Sequence, residues 1–325
     1  MSRPRVFLTR ALPPAVLDRL AATTDLTVNP DNRVLRATEL IAGARGCDAV
    51  LCTILDRIDG TFLEACPGLK VVANFGVGYN HIDVAAATAR RIPVTNTPGV
   101  LTAATADIAF GLILAAARRC GEGERLVRAR AWPGWEPLQL LGQDVTGATL
   151  GLVGLGRIGR AVARRARGFD MRVLYWNRTR LAPAEEQELA VEYRERDALL
   201  AEADFVSLHV AYLPATHHLI DAAALARMKS TAVLVNTARG AIVDEAALVA
   251  ALRDRRLAAA GLDVYEQEPA LHPQLYDLPN CVLLPHLGSA TIGTRTRMGL
   301  LAVDNLLAAC AGQPPPHCVN PEVLA

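Results

Sequence analysis

The sequence predicts an α/β protein of two domains, each built on a doubly wound parallel sheet, with the second domain inserted into the first. Three observations predict it. Short apolar runs alternate with helical patterns along all 325 residues, a length that fits about two domains and a sizeable core. The alternation comes as two series, and a glycine-rich turn opens the second near residue 151. A long helical pattern then follows a second series that is already complete, so it is expected to return to the first domain.

The first series reads as strands RVFLTR (5–10), AVLCT (49–53), LKVVANF (69–75) and PVTN (93–96). Helical stretches such as ATELIAGAR and HIDVAAATARR lie between them, with His81 expected to start the second. A long apolar helix spans 102–119. The second series reads as strands ATLGLVG (148–154), MRVLYW (171–176), DFVSLHV (204–210), TAVLVNT (231–237), AAAGLDV (258–264) and CVLLP (281–285). A helix over 289–311 and the tail QPPPHCVN close the chain. Pro and Gly punctuate TPGV (97–100) and PHLG (285–288), the predicted hinges. The expected domains are thus 1–98, 99–287 for dinucleotide binding, and 288–325 returning to the first.

Composition excludes several classes. The formal net charge is +1 and the basic residues, almost all Arg beside Lys70 and Lys229, form no clustered stripe, so no nucleic-acid partner is expected. The seven cysteines are scattered, odd in number and without a CxxC pair. Neither a disulfide framework nor a metal site is expected, and a reducing compartment fits. The apolar run near the N-terminus is too short for a signal peptide, and no run of about 18 apolar residues suggests a membrane span. A cytoplasmic location is the expectation.

The stretch GLVGLGRIGRAV carries Gly154-x-Gly156-x-x-Gly159 between a strand and a helix. In that context the spacing points to a bound dinucleotide. Gly154 permits the turn, Gly156 lets backbone approach a pyrophosphate, and Gly159 lets helix pack on strand. Arg157 and Ile158 begin the helix whose free N–H groups face the phosphates. The next strand ends in YWNRTR, and Asn177 lies 18 residues after Gly159. An Asp or Glu near this point grips the ribose hydroxyls of NAD. Asn177, Arg178 and Thr179 stand there instead. A guanidinium forks onto a phosphate, so Arg178 predicts NADP(H) as the preferred cofactor, with NAD(H) also possible. Arg180 is a second candidate.

In doubly wound sheets, ligands sit beyond the carboxyl ends of the strands. Three polar residues fall there or just after: Arg239 in VNTARG, Glu268 in LDVYEQEP and His286 in LLPHLG. Asp263 also marks a strand end. An Arg, a Glu and a His can reduce a keto acid with hydride from the cofactor. The guanidinium pairs with the substrate carboxylate and polarises the carbonyl. The histidine gives its oxygen a proton, and the Glu, bonded to the other ring nitrogen, favours the charged ring. His209 is a candidate lining of the cofactor cleft, whereas His217, His218, His272 and His317 show no constellation around them.

These residues resemble the D-isomer-specific 2-hydroxyacid dehydrogenase family. The resemblance covers nearly the whole chain through NFGVGYNHID (74–83), GLVGLGRIG (151–159), VNTARGAIVDEAAL (235–248), GLDVYEQEP (261–269) and LPHLGSAT (284–291). Within the family, WPGWEPLQLLGQDVTG (132–147) and NRTR look most like glyoxylate/hydroxypyruvate reductases. The resemblance implies a Rossmann cofactor domain and a flavodoxin-like, discontinuous substrate domain. It implies Arg239, Glu268 and His286 as the catalytic set, with His286 as acid/base. It places the substrate carboxylate on the backbone around Val77 and Gly78, and lines the nicotinamide site with Thr105, Thr237, Ala238 and Asp263. Val210 lies in a loop, HVAYLPATHH (209–218), that should touch the cofactor. Here the chain departs from the pattern, with Ala211-Tyr212-Leu213 where relatives often read Pro-Leu-Thr. The resemblance further implies a homodimer, with the region after the 102–119 helix in the contact.

The resulting expectation is an NADPH-preferring reductase of small 2-keto acids, glyoxylate to glycolate and hydroxypyruvate to D-glycerate. A larger keto acid such as 2-ketogluconate, or a dinucleotide-sensing corepressor, are the alternative readings.

Overall fold

The structure is a computed structural model and describes residues 3–324. The chain divides into two compact units, Met1–Leu101 with Ala290–Ala325, and Thr102–Ser289. The first begins with β1 (Arg5–Leu8), α1 (Pro14–Thr23), β2 (Asp25–Val28), α2 (Ala37–Ala44), β3 (Ala49–Cys52), α3 (Gly60–Ala65), β4 (Val71–Asn74), α4 (Val84–Ala89) and β5 (Val94–Thr95). Its sheet has the order β2-β1-β3-β4-β5 with every pair parallel, a flavodoxin-like winding. Strands β3 and β4 are buried on both faces, which is why AVLC and VVAN read as unbroken apolar runs. Strand β2 escaped the sequence reading. It is an edge strand, DLTV, and no residue of it is fully buried. Helix α4 starts later than expected. Asp83 caps it by accepting the Ala86 N–H at 2.9 Å, which leaves His81 in the turn before it.

The second unit contains α5 (Thr102–Ala117), α6 (Cys120–Arg128), β6 (Thr149–Val153), α7 (Arg157–Ala166), β7 (Arg172–Trp176), α8 (Pro183–Leu189), β8 (Val191–Tyr193), α9 (Arg196–Glu202), β9 (Phe205–Leu208), α10 (Ala222–Arg227), β10 (Val233–Asn236), α11 (Glu245–Arg253), β11 (Ala259–Leu262) and β12 (Cys281–Leu283). The sheet order is β12-β11-β10-β9-β6-β7-β8, again parallel throughout. From β6 the chain winds one way through β7 and β8, then reverses to β9. The β6/β9 boundary is therefore the switch point, beyond whose strand ends a dinucleotide binds in such folds. Helices α5 and α7 cover one face and α9, α10 and α11 the other. The approach of α5 is close: a Cβ on Gly261 would stand 2.9 Å from that of Leu112. Strand β8 also went unread, because VEY at a sheet edge is too short to show a period.

Helix α12 (Ile292–Cys310) belongs to the first unit, where it packs beside α1 over β3 and β4. Gly299 is needed there, since a Cβ would meet Val16 at 2.5 Å. The tail then closes the free edge of β5. Val319 donates its N–H to Val94 O at 2.7 Å, and Asn320 Oδ1 accepts the Val94 N–H at 2.8 Å. All seven cysteines are free thiols. No helix among the described residues is long and apolar enough to cross a membrane.

Candidate active site

The glycine loop follows β6 directly. Gly154 has φ +99°, and a Cβ there would lie 2.7 Å from the His209 carbonyl carbon and 2.8 Å from the Val210 nitrogen. A Cβ on Gly159 would lie 2.3 Å from Gly154 O. Packing accounts for both glycines. Gly156 differs: a Cβ there would meet nothing within 4 Å. That open side is where a pyrophosphate must approach. Gly156 also caps α7 without any side-chain hydrogen bond, so the first-turn N–H groups at Arg157 and Ile158 are left for an anion. The residues present thus fit a nicotinamide dinucleotide.

Asn177, just past β7, ties this loop down by accepting the Leu155 N–H on Oδ1 at 2.7 Å. Beyond it, Arg178 and Thr179 are exposed and form no hydrogen bond or ion pair among the described residues. Arg180 is different. It makes two bonds of 2.8 Å to Glu186, so the second sequence candidate for a phosphate ligand is already engaged. At the end of β9, His209 Nε2 lies 2.9 Å from Ser207 Oγ, and burial pushes its imidazole down to about 4. It is neutral at ordinary pH, and its backbone lies against Gly154 of the glycine loop.

Thr237, Ala238, Arg239, Asp263, Glu268 and His286 lie at or just beyond the ends of β10, β11 and β12. Asn236 shapes the β10 turn: its Oδ1 accepts the Ala238 N–H at 3.0 Å and its Nδ2 donates to Arg239 O at 2.8 Å. The Arg239 guanidinium donates to Ala238 O at 2.7 Å, and burial pushes it below its usual range against the opposing charge of Glu268. Gly240 lets the 265–268 segment press in, because a Cβ there would fall 1.8 Å from the Tyr265 carbonyl carbon. Thr237 Oγ1 is buried and has no partner among the described residues.

Glu268 Oε1 accepts the Tyr265 N–H at 3.0 Å, and Oε2 lies 2.8 Å from His286 Nδ1. Burial pushes this carboxyl up. The bond to His286, that ring's charge, the Tyr265 N–H and the charge of Arg239 outweigh it and hold Glu268 below the usual carboxylate range. With Nδ1 engaged, Nε2 is the ring nitrogen of His286 that has no protein partner among the described residues. Its backbone is left-handed, φ +55°, a conformation that costs a non-glycine residue about 1–3 kcal/mol. Asp263 offsets that strain by accepting the next two N–H groups, Leu287 at 2.6 Å and Gly288 at 2.7 Å. Burial raises the Asp263 carboxyl in spite of these two bonds. Thr105 completes the fixture by donating to Gly288 O at 3.0 Å. Thus Asp263 and Thr105, placed by resemblance at the nicotinamide, direct their polar atoms to the loop that carries His286.

The structure corrects the reading of two histidines. His218 Nε2 lies 2.8 Å from Glu266 Oε1, and His217 stacks on His218 with ring centroids 3.9 Å apart and reaches Tyr212 OH at 3.3 Å. Glu266, in the segment that carries Glu268, is 48 residues away in sequence, so no local spacing could have shown the pair.

Val77 and Gly78 lie in the first unit, in the loop after β4. Asn74 Nδ2 donates to Gly76 O at 3.2 Å and Gly78 O at 2.9 Å, and Asn96 Nδ2 donates to Val77 O at 2.8 Å. Three successive carbonyls are therefore held by side-chain amides. The N–H groups of Val77 and Gly78 take no partner among the described residues. Sequence reading named the loop but missed Asn74 and Asn96.

A family model described as D-isomer specific 2-hydroxyacid dehydrogenase, NAD binding domain, matches residues 110–288. A glyoxylate reductase of Korarchaeum cryptofilum is 49% identical over 325 residues, 99% of this chain and 97% of that protein. One of Thermococcus gammatolerans is 47% identical over 326 residues, again 99% and 97%. Among solved structures, the NADPH-dependent glyoxylate/hydroxypyruvate reductase of Sinorhizobium meliloti, in complex with NADP and malonate, superposes with a TM-score of 0.87. It is 37% identical, with 98% of this chain and 97% of that one covered.

Proposed function

The chain belongs to the D-isomer specific 2-hydroxyacid dehydrogenase family, and from that premise we propose that it is an NADPH-preferring reductase of small 2-keto acids. Glyoxylate becomes glycolate and hydroxypyruvate becomes D-glycerate. Membership makes it an NAD(P)-dependent oxidoreductase acting on a 2-keto acid. The names of its relatives support the substrates, and the NADP complex of the S. meliloti enzyme supports the cofactor.

The observation that carries the reading is the Glu268–His286 pair beside Arg239. The reduced nicotinamide, when bound, supplies a hydride to the substrate carbonyl carbon. Arg239 pairs with the substrate carboxylate and draws electron density toward the carbonyl oxygen. His286 gives that oxygen its Nε2 proton, so a hydroxyl forms and the ring is left neutral until solvent reprotonates it. Glu268 keeps the ring oriented and favours its charged form before each turnover. Arg178 with Thr179 and Asn177 takes the 2′-phosphate of NADPH. The same reading makes the protein a homodimer. Trp132, Trp135 and Leu138, exposed by 52%, 80% and 81%, form an apolar stretch that a second copy would cover. A monomer by sedimentation at micromolar concentration would remove that part.

The test is initial rates with glyoxylate and with hydroxypyruvate, each with NADPH and with NADH. Fast turnover favouring NADPH is expected. Preference for NADH would keep the reductase and return Arg178 to a solvated loop charge. No turnover with either would leave a larger keto acid or a dinucleotide sensor.

A further inference from the structure

In dinucleotide-binding folds the acid at the end of the second strand grips the ribose hydroxyls of NAD and repels a 2′-phosphate. The sequence has no acid at the end of β7, but the fold brings one there from α8. Glu186 lies under the 177–181 loop with its side chain only 12% exposed. Its Oε1 accepts from Tyr175 OH at 2.6 Å, and the same hydroxyl accepts the Leu181 N–H at 2.9 Å, which ties the carboxylate to the loop itself. Arg180 closes over it with two bonds of 2.8 Å, and its guanidinium lies 5.3 Å from the Tyr193 ring centroid. The Arg180 bonds first, and the Tyr175 hydroxyl second, hold Glu186 down to about 2, so it is ionised at any working pH.

We propose that Arg180 is a masking residue rather than a phosphate ligand: it neutralises a Glu186 carboxylate that would otherwise act as the NAD-selecting acid. The Arg180–Glu186 pair thereby sets the choice between NADPH and NADH. The proposal rests on reading this loop as the 2′-phosphate site. Two arguments carry it. The Nε/Nη2 edge of the Arg180 guanidinium is taken by a carboxylate, and a bidentate pair is the strong form of this interaction, so a phosphate would meet only the outer Nη1 edge of an already neutralised pair. Arg178 and Arg180 are two residues apart, so their Cα atoms are within about 7 Å. A phosphate held by Arg178 would feel the carboxylate once Arg180 no longer covered it.

The experiment is a double-mutant cycle read as the ratio of kcat/KM for NADPH to that for NADH, with glyoxylate. Arg180→Ala should lower the ratio about tenfold, on the order of what one unmasked charge near a protein surface does to a doubly charged phosphate. Glu186→Gln keeps an acceptor oxygen for Tyr175 OH. In the double variant the ratio should return to within about twofold of the starting protein. If the double variant stays as low as Arg180→Ala, Arg180 touches the phosphate itself and the masking role is overturned. An unchanged ratio in Arg180→Ala overturns it as well. Should Arg180→Ala not fold, Arg180→Gln also removes the charge, with the same expectations. Preference of the unaltered protein for NADH would defeat the NADPH reading alone; Arg180→Ala must then still push the ratio further toward NADH, and Glu186→Gln must still restore it.

Discussion

The corner formed by the ends of β11 and β12 and the loop beyond β7 treat their polar groups in opposite ways. In the corner, the carboxylates of Asp263 and Glu268, the Nδ1 of His286 and the hydroxyl of Thr105 all have protein partners. At the loop tip, Arg178 and Thr179 have none among the described residues. The difference follows from what each place must do. A proton donor works only if its ring is aimed and charged before the substrate arrives, so the protein supplies every fixture. A group that takes up a ligand's charge binds best when no internal partner must first be displaced. The left-handed His286 belongs to the first kind, since its backbone strain persists only because Asp263 over-determines the two residues after it.

The corner breaks most severely at its donor. His286→Asn is expected to lower kcat for glyoxylate reduction at neutral pH by about 10²–10⁴-fold, the usual worth of a positioned acid. A near-normal rate would take the proton from His286 and give it to solvent or another group. Arg239→Lys should come next. It keeps a charge but loses the planar fork, and the KM for glyoxylate should rise on the order of 100-fold; an unchanged KM would mean that Arg239 does not hold the substrate. The loop tip is tested more gently. Arg178→Ala should raise the KM for NADPH about tenfold, as loss of one charge-assisted bond does, while NADH changes little. Equal losses for both would show that Arg178 does not distinguish them.

Much of this was legible in the chain. Both parallel sheets could be read because their central strands are buried on both faces and appear as continuous apolar runs. The edge strands β2 and β8 were not, since a half-buried edge leaves neither a run nor a clean alternation. Among site residues, Gly154, Gly156 and Gly159 announce themselves through spacing within one turn. Glu186 does not: in sequence it is a first-turn helix acid, and only the fold sets it against Tyr175, 11 residues back. Asn74 and Asn96 were missed for a similar reason. Each acts through the carbonyls of a neighbouring loop, and no residue-type pattern records which way a carbonyl points.

The smallest expected effect sharpens the comparison furthest, because it separates aiming from charging. Glu268 is ionised throughout the ordinary pH range: burial pushes its carboxyl up, but His286, the Tyr265 N–H and Arg239 hold it down. The stability this pair contributes is therefore present above the free carboxylate's range and lost only as the pH falls through a lower value. Glu268→Gln keeps the side chain's length and an oxygen able to accept from either the Tyr265 N–H or His286 Nδ1, but it carries no charge. At neutral pH the fall in rate should be a few-fold at most if aiming dominates. The pH profile should nevertheless move, because an adjacent negative charge favours the protonated ring. Without that charge, the alkaline limb of kcat for reduction should move to lower pH. In the opposite direction, glycolate oxidation needs the neutral ring, so its acidic limb should shift the same way. Profiles measured in both directions at saturating cofactor decide the matter. Limbs that stay in place while the plateau falls would make Glu268 an orienting residue only, and the charge of His286 would then have to be set by the rest of the corner.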